Sequence, residues 1–220
     1  MKFFTISSFV LIVALPLLLF LAVLNFVALD DEFYQKKFSE YGVPKNVPDA
    51  ISLHEDVMKF MRGSTNELPN AFNEREKQHL RDVGRLLRIS AFLMYICLIS
   101  FVFLLVISAN SLKSKNLVAD FTGKVFLIGG ILTMAAASII FIFLKSDFSS
   151  AFDLFHQLLF RDGTYTFDPA KEIIVNLYPQ QLFMDLGARL SKGIIIASLA
   201  SILLGLFLIL KSKKQKLKYD

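Results

Sequence analysis

Apolar residues in this chain gather into four long blocks, at residues 10–29, 89–107, 125–144 and 193–210, and polar residues fill the intervals between them. An α-helix rises about 1.5 Å per residue, so blocks of this length cross, or nearly cross, the roughly 30 Å of hydrocarbon in a bilayer. The pattern predicts an all-α integral membrane protein with four transmembrane helices, over about 4–29, 89–110, 125–145 and 190–210. The first block could pass for a secretory signal. Yet an h-region is about 7 to 15 residues long, and no small-x-small cleavage site precedes Asp30. It reads as a retained span, kinked by Pro16. The chain, 1–220, reads as one membrane domain whose four spans carry two partly helical cap segments, 30–88 and 146–189.

The first cap segment opens at Asp30, Asp31 and Glu32, and Pro44 and Pro48 are expected to end any helix there. Leu53, Val57, Phe60 and Met61 recur at helical spacing, with Gly63 as a stop, which predicts a short amphipathic helix lying on the membrane surface. Asn73 offers an N-cap, with Glu74 and Glu76 in the first turn, for a helix that feeds into the second span. His79 and Asp82 lie on it at i and i+3, on one face, and His79 stands roughly 15 Å before Ile89. The second cap segment predicts a helix over 149–160, with Phe152, His156, Leu159 and Phe160 on a shared face. Asp162-Gly163 and Asp168-Pro169 read as turns, and the apolar run over 173–184 as a re-entrant or interfacial segment of either helix or strand.

Composition and charge sharpen this picture. At 55% apolar residues the chain exceeds the 45–50% or so of ordinary soluble domains. The net charge of +5 does not point to nucleic acid once the lysines are located. Five follow the last span in the tail 211–220, and Lys113, Lys115 and Lys124 sit in the segment 111–124. By the positive-inside rule both termini and that segment are cytoplasmic, and both cap segments, with all three histidines, face outside.

The chemistry carried by the caps is narrow. Cys97 is the one cysteine and lies within the second block, so neither a disulfide nor a cysteine-based zinc site can be built. His54-Glu55 lacks the second histidine of a zincin, and no metal is expected. No GxSxG elbow, phosphate-binding glycine loop or nucleotide fingerprint occurs, so hydrolase and kinase readings have no support. His156 sits on an apolar helical face amid phenylalanines, and an imidazole takes and gives protons near neutrality. A lone histidine in such a setting is ordinarily a core residue. A second one, His79, beside a different span on the same side of the membrane, makes a shared catalytic site conceivable. Asp82 is a weaker candidate for orienting His79, and Asp153 for His156. Asn25 and Tyr95 are expected to hydrogen-bond to neighbouring helices.

Three segments, REKQHLRDV, AFDLFHQLLFRDGTYTFDP with the following LYPQQLFMD, and DEFYQKKFSEYGV after the first span, together resemble the lipoprotein intramolecular transacylases and related bacterial membrane proteins. The likeness covers almost the whole chain, and Tyr165 stands where that family often has a tryptophan. The resemblance implies an enzyme of the bacterial cytoplasmic membrane. It would move the sn-2 acyl chain of a diacylglyceryl lipoprotein to the α-amine of the same N-terminal cysteine, giving the lyso-form. The family's paired catalytic histidines fall on His79 and His156, with His156 favoured as base and the reverse assignment open. No cofactor is implied; the partners are diacylglyceryl lipoproteins and membrane lipid, not nucleic acid or nucleotide. Two other readings stay open: a related lipid-modifying enzyme with another outer-leaflet substrate, and a non-enzymatic membrane interaction protein.

Overall fold

A computed structural model describes residues 2–161 and 164–216, and among these the chain is helical, with no strand. Helices α1 (Lys2–Ala28), α5 (Glu74–Asn110), α6 (Lys115–Ser146) and α9 (Gln180–Lys216) are long and apolar enough to cross a membrane. Helix is the element expected there, because it satisfies every backbone polar group within the segment. The shorter helices are α2 (Asp31–Glu40), α3 (Val43–Asn46), α4 (Ala50–Met61), α7 (Phe148–Leu159) and α8 (Ile174–Leu177). The expected turn at Asp162-Gly163 lies outside the described residues. The described residues divide into two compact units, one of residues up to Leu24, Phe92–Phe141 and those from Leu190, the other of Asn25–Ala91 and Ile142–Arg189.

The first unit packs through small residues. A Cβ on Gly205 of α9 would lie 2.5 Å from the Leu127 backbone nitrogen of α6, and one on Gly123 would lie 2.8 Å from the Gly205 carbonyl oxygen. With lipid as greasy as leucine, close backbone approach and interhelical hydrogen bonds hold such helices together. Ser201 Oγ donates to the Phe126 carbonyl at 2.8 Å and Ser212 Oγ to the Asn116 carbonyl at 2.9 Å. On the other side of α6, Leu11, Leu15 and Leu18 of α1 bury with Phe101 and Val125. Ile99, Phe103, Ile139 and Ile196 are each at least 65% exposed, a surface suited to lipid.

The second unit has its own core, in which Phe38, Val43, Ala50, Val57, Phe72, Leu177 and Leu182 are almost wholly buried. This overturns two expectations. The apolar face of α4 does not lie on the membrane: Val57, Met58, Phe60 and Met61 are buried against protein, because α2, α3 and α8 supply an apolar partner for it. Likewise 173–184 is no re-entrant loop. It forms the single turn α8 and, from Gln180, the start of α9, and Ile174, Leu177 and Leu182 belong to the same core. Pro44 also falls within the first turn of α3 instead of ending a helix, and α2 stops ahead of Gly42, whose φ of 64° favours a residue without a side chain. Gly63 closes α4 as expected, with φ 76°. Asn25 bonds a neighbouring helix, accepting from Ser90 Oγ at 3.1 Å. Tyr95 does not; its side chain points outward, 58% exposed.

The glycine contact between α6 and α9 yields a test. Gly205→Leu forces side-chain atoms into the α6 backbone, which cannot step aside, at a cost of about 1–3 kcal/mol. The apparent Tm of the purified protein in detergent is expected to fall clearly. Gly187→Ala, whose new carbon meets nothing nearer than 3.4 Å, is expected to leave it unchanged.

Candidate active site

The second unit brings His79 and His156 together. His79 lies in the second turn of α5 and His156 in the last turn of α7; each is 8% exposed, and their rings stack with centroids 6.1 Å apart and planes at 21°. Phe160 lies against both rings, 4.8 Å from that of His79 and 5.4 Å from that of His156. Phe152 and Tyr165 complete the surroundings of His156, at 4.1 and 5.2 Å, and Phe167 stands edge-on to His79 at 5.4 Å.

Local sequence explains these placements. Asp147 caps α7 through its side chain, accepting from the Ser150 N–H at 3.0 Å, so the helix starts at Phe148, one residue before the expected position. Ala151, Phe152 and His156 turn inward, while Leu154, Phe155 and Leu158 are exposed. Leu159, expected on the inner face, is instead 45% exposed, because the helix ends there and Phe160 takes the buried position in extended backbone. Asn73 does cap α5, accepting from the Glu76 N–H at 3.0 Å, and Glu76 returns the bond by accepting from the Asn73 N–H at 2.7 Å.

The two imidazoles differ in their hydrogen bonds. His156 Nδ1 lies 2.8 Å from the Phe152 carbonyl oxygen. A carbonyl only accepts, so Nδ1 carries the proton and Nε2 of the neutral ring keeps its lone pair. Burial moves the His156 pKa below the usual 6.5, against smaller upward pulls from the Phe152 carbonyl and the Asp153 carboxylate. The ring is therefore neutral at physiological pH, with a basic nitrogen free. His79 Nδ1 is buried with no hydrogen-bond partner among the described residues. Asp82, weighed as its orienting carboxylate, pairs with Arg85 at 3.5 Å instead, since a neighbour one turn on along a solvated face is the nearer cation.

Sequence reading missed the residues that hold the surrounding chain. Glu76, 1% exposed, also accepts from the Ile174 N–H at 2.8 Å, which joins α5 to α8. Glu172, 6% exposed, receives two bonds from Arg75, at 2.9 and 2.7 Å. The signal available was Asn73-x-x-Glu76, a capping-box spacing; nothing local marked Glu172. The third histidine, His54, is fully buried between Tyr34 and Phe38, with Nδ1 3.1 Å from Tyr178 Oη and Nε2 3.8 Å from an Asp31 oxygen. Burial lowers its pKa to about 4, so it is a neutral core residue. Among the described residues, no three His, Cys, Asp or Glu side chains converge as metal ligands.

Four helices long and apolar enough to cross a membrane, in a fold without strands among the described residues, define an all-α, multi-pass integral membrane protein. A search of curated protein sequences finds no match. Among solved structures, the membrane-integral lipoprotein intramolecular transacylase Lit from Bacillus cereus superposes with a TM-score of 0.84 at 19% identity, over 96% of this chain and 98% of that one. Two further structures of that protein, with a single histidine replaced by arginine or by alanine, superpose with TM-scores of 0.79. The family model for lipoprotein intramolecular transacylase Lit matches residues 9–183. The chain belongs to that family, as its sequence motifs suggested.

Burial of His54 makes stability pH-dependent. Its folded pKa lies below the unfolded 6.5, so the unfolded chain binds the extra proton; its stabilising effect is intact above pH 6.5 and is lost as pH falls toward about 4, by on the order of 3 kcal/mol. In apparent Tm measured from pH 7.5 to 4, His54→Gln is expected to flatten this decline.

Proposed function

We propose that this protein moves the sn-2 acyl chain of a diacylglyceryl lipoprotein to the α-amine of the same N-terminal cysteine, using His156 as base and His79 as electrostatic partner, without a cofactor. The observation that carries the reading is the stacked pair of buried imidazoles, of which His156 has its Nδ1 proton committed to the Phe152 carbonyl and its Nε2 available. The α-amine, with a pKa of about 7.7–8.0, is partly neutral near physiological pH; the neutral nitrogen attacks the ester carbonyl and passes one proton to Nε2. The C–N bond forms, the carbonyl electrons move to oxygen, and the unpartnered His79 supports the resulting oxyanion with an N–H. Collapse breaks the C–O bond, and the imidazolium of His156 returns the proton to the departing glyceryl oxygen. Amine and ester belong to one molecule, so orientation in a water-poor site is the protein's main contribution.

The apolar surface of α7 supports lipid as the substrate class. The Phe155 ring, 51% exposed, stands edge-on to that of His156 with centroids 5.3 Å apart, and Leu154 and Leu158 add exposed apolar surface to the outer side of the same helix. Orientation follows from charge: Lys211, Lys213 and Lys214, with Lys113 and Lys115, mark the cytoplasmic side, which puts both termini inside and the histidines at the outer leaflet.

Transfer within one molecule leaves total mass unchanged, so tandem mass spectrometry must locate the acyl chain on the amine. His156→Ala and His79→Ala are each expected to reduce N-acyl product from a reporter lipoprotein by about 10²-fold or more, with membrane insertion intact. Normal product from both variants would sink the proposal. The rate is also expected to fall on acidification through a pKa below 6.5, because protonation of Nε2 removes the base; a flat profile down to pH 5 contradicts His156 in that role.

A further inference from the structure

Tyr165 and Phe167, which flank the two imidazoles, belong to neither α7 nor α8 but to the irregular chain between them. Irregular backbone beside a site needs an external hold, and here that hold comes from the first turn of the histidine-bearing helix α5. Arg75 makes a fork of two bonds to the Glu172 carboxylate, at 2.9 and 2.7 Å, and its Nη2 also donates to the Thr166 carbonyl at 2.8 Å. Its guanidinium lies over the Phe167 ring, 5.2 Å from the centroid. Glu172 in turn accepts from the Asp168 N–H at 2.6 Å. Burial would raise the Glu172 carboxyl, yet the Arg75 bonds and the Asp168 N–H keep it below the usual carboxylate range, so the carboxylate is charged. A planar guanidinium is the side chain that can hold a carboxylate by two bonds, a carbonyl and a ring face together.

We propose that Arg75 and Glu172 are positioning residues for acyl transfer: their ion pair holds the 164–173 segment so that Tyr165 and Phe167 wall the imidazoles against water, and the reaction it suppresses is hydrolysis of the acyl ester. This rests on the transacylase reading above. The competing outcomes differ by one nucleophile at the same carbonyl. With the amine, the acyl group moves and the glyceryl oxygen takes the amine's proton. With water, the C–O bond breaks to give free fatty acid and a lipoprotein that keeps its free amine, the glyceryl oxygen taking a proton from water. An activated base serves both, so selectivity depends on which nucleophile is admitted. Neither Arg75 nor Glu172 touches an imidazole; they act through the two aromatic rings.

The test uses the full chain in lipid nanodiscs with a diacylglyceryl lipopeptide, and compares wild type with Arg75→Ala, Arg75→Lys and Glu172→Gln. Two quantities are read: amide hydrogen exchange over 164–173, and the ratio of hydrolysed to transferred product, separated because hydrolysis loses the mass of an acyl chain and transfer does not. Arg75→Ala is expected to speed exchange in that segment several-fold, leave α1 and α6 unchanged, and raise the hydrolysis ratio several-fold. Arg75→Lys, which keeps charge but loses the fork, is expected to fall between, and Glu172→Gln to follow Arg75→Ala. Loss of both products in constant ratio, or exchange identical to wild type in all three variants, overturns the proposal. If wild type forms neither product, the transacylase reading and the selectivity claim fall together, while exchange still decides whether the pair holds the segment.

Discussion

A carboxylate withdrawn from water must be given donors, and Glu76 obtains them from two places far apart along the chain. One oxygen takes the Asn73 N–H at the start of α5, and the other takes the Ile174 N–H at the start of α8. The bond to Asn73 completes a helix cap; the bond to Ile174 ties the two cap segments into one core. His79 follows less than one turn later on the same helix, so its position inherits the rigidity of that junction. Left without donors, a side chain 1% exposed would carry a desolvation penalty far larger than the modest net gain of an ordinary hydrogen bond. The same logic recurs at Glu172, whose charge is matched by Arg75 and an amide. At the other end of this unit, Asp30 pairs with Arg189 and Asp185 with Lys37, while Tyr41 Oη donates to Asp185 at 2.6 Å.

Three histidines of similar burial meet three different fates. His54 spends one nitrogen on Tyr178 and lies among aromatic rings at tilted and edge-on angles, so it acts as a core residue with a polar edge. His156 spends Nδ1 on the carbonyl one turn earlier, a bond available to a histidine on a helix, and keeps Nε2. His79 leaves its buried Nδ1 without a partner among the described residues, as His54 leaves its Nε2. Burial alone treats all three alike; what differs is the neighbours, His79 and His156 facing each other while His54 lies among Tyr34, Phe38 and Tyr178.

The membrane part of the fold was legible because its signal is one-dimensional. Four apolar blocks need only length and composition to be read as spans, and caps such as Asn73 or stops such as Gly63 act within a few residues. The misreadings share one cause. An amphipathic helix such as α4 shows that one face needs cover, and its sequence does not say whether lipid or protein supplies it. The 173–184 run looked like membrane for the same reason. Leu159 shifted outward because a helix end, set by Phe160 in extended backbone, is decided by what packs there. Asp82 lies at the right spacing from His79, yet Arg85 claims it.

Periodicity, charge bias and motif spacing determined an all-α membrane protein, its four spans, its family and the two histidines worth examining, since each depends on residues near one another in sequence. What only the tertiary structure decided is how those histidines meet: the 6.1 Å stacking, and the Arg75–Glu172 and Glu76–Ile174 bonds that hold the chain around them. These join residues separated by about 80 to 100 positions, and the closing of such loops leaves no local pattern to read.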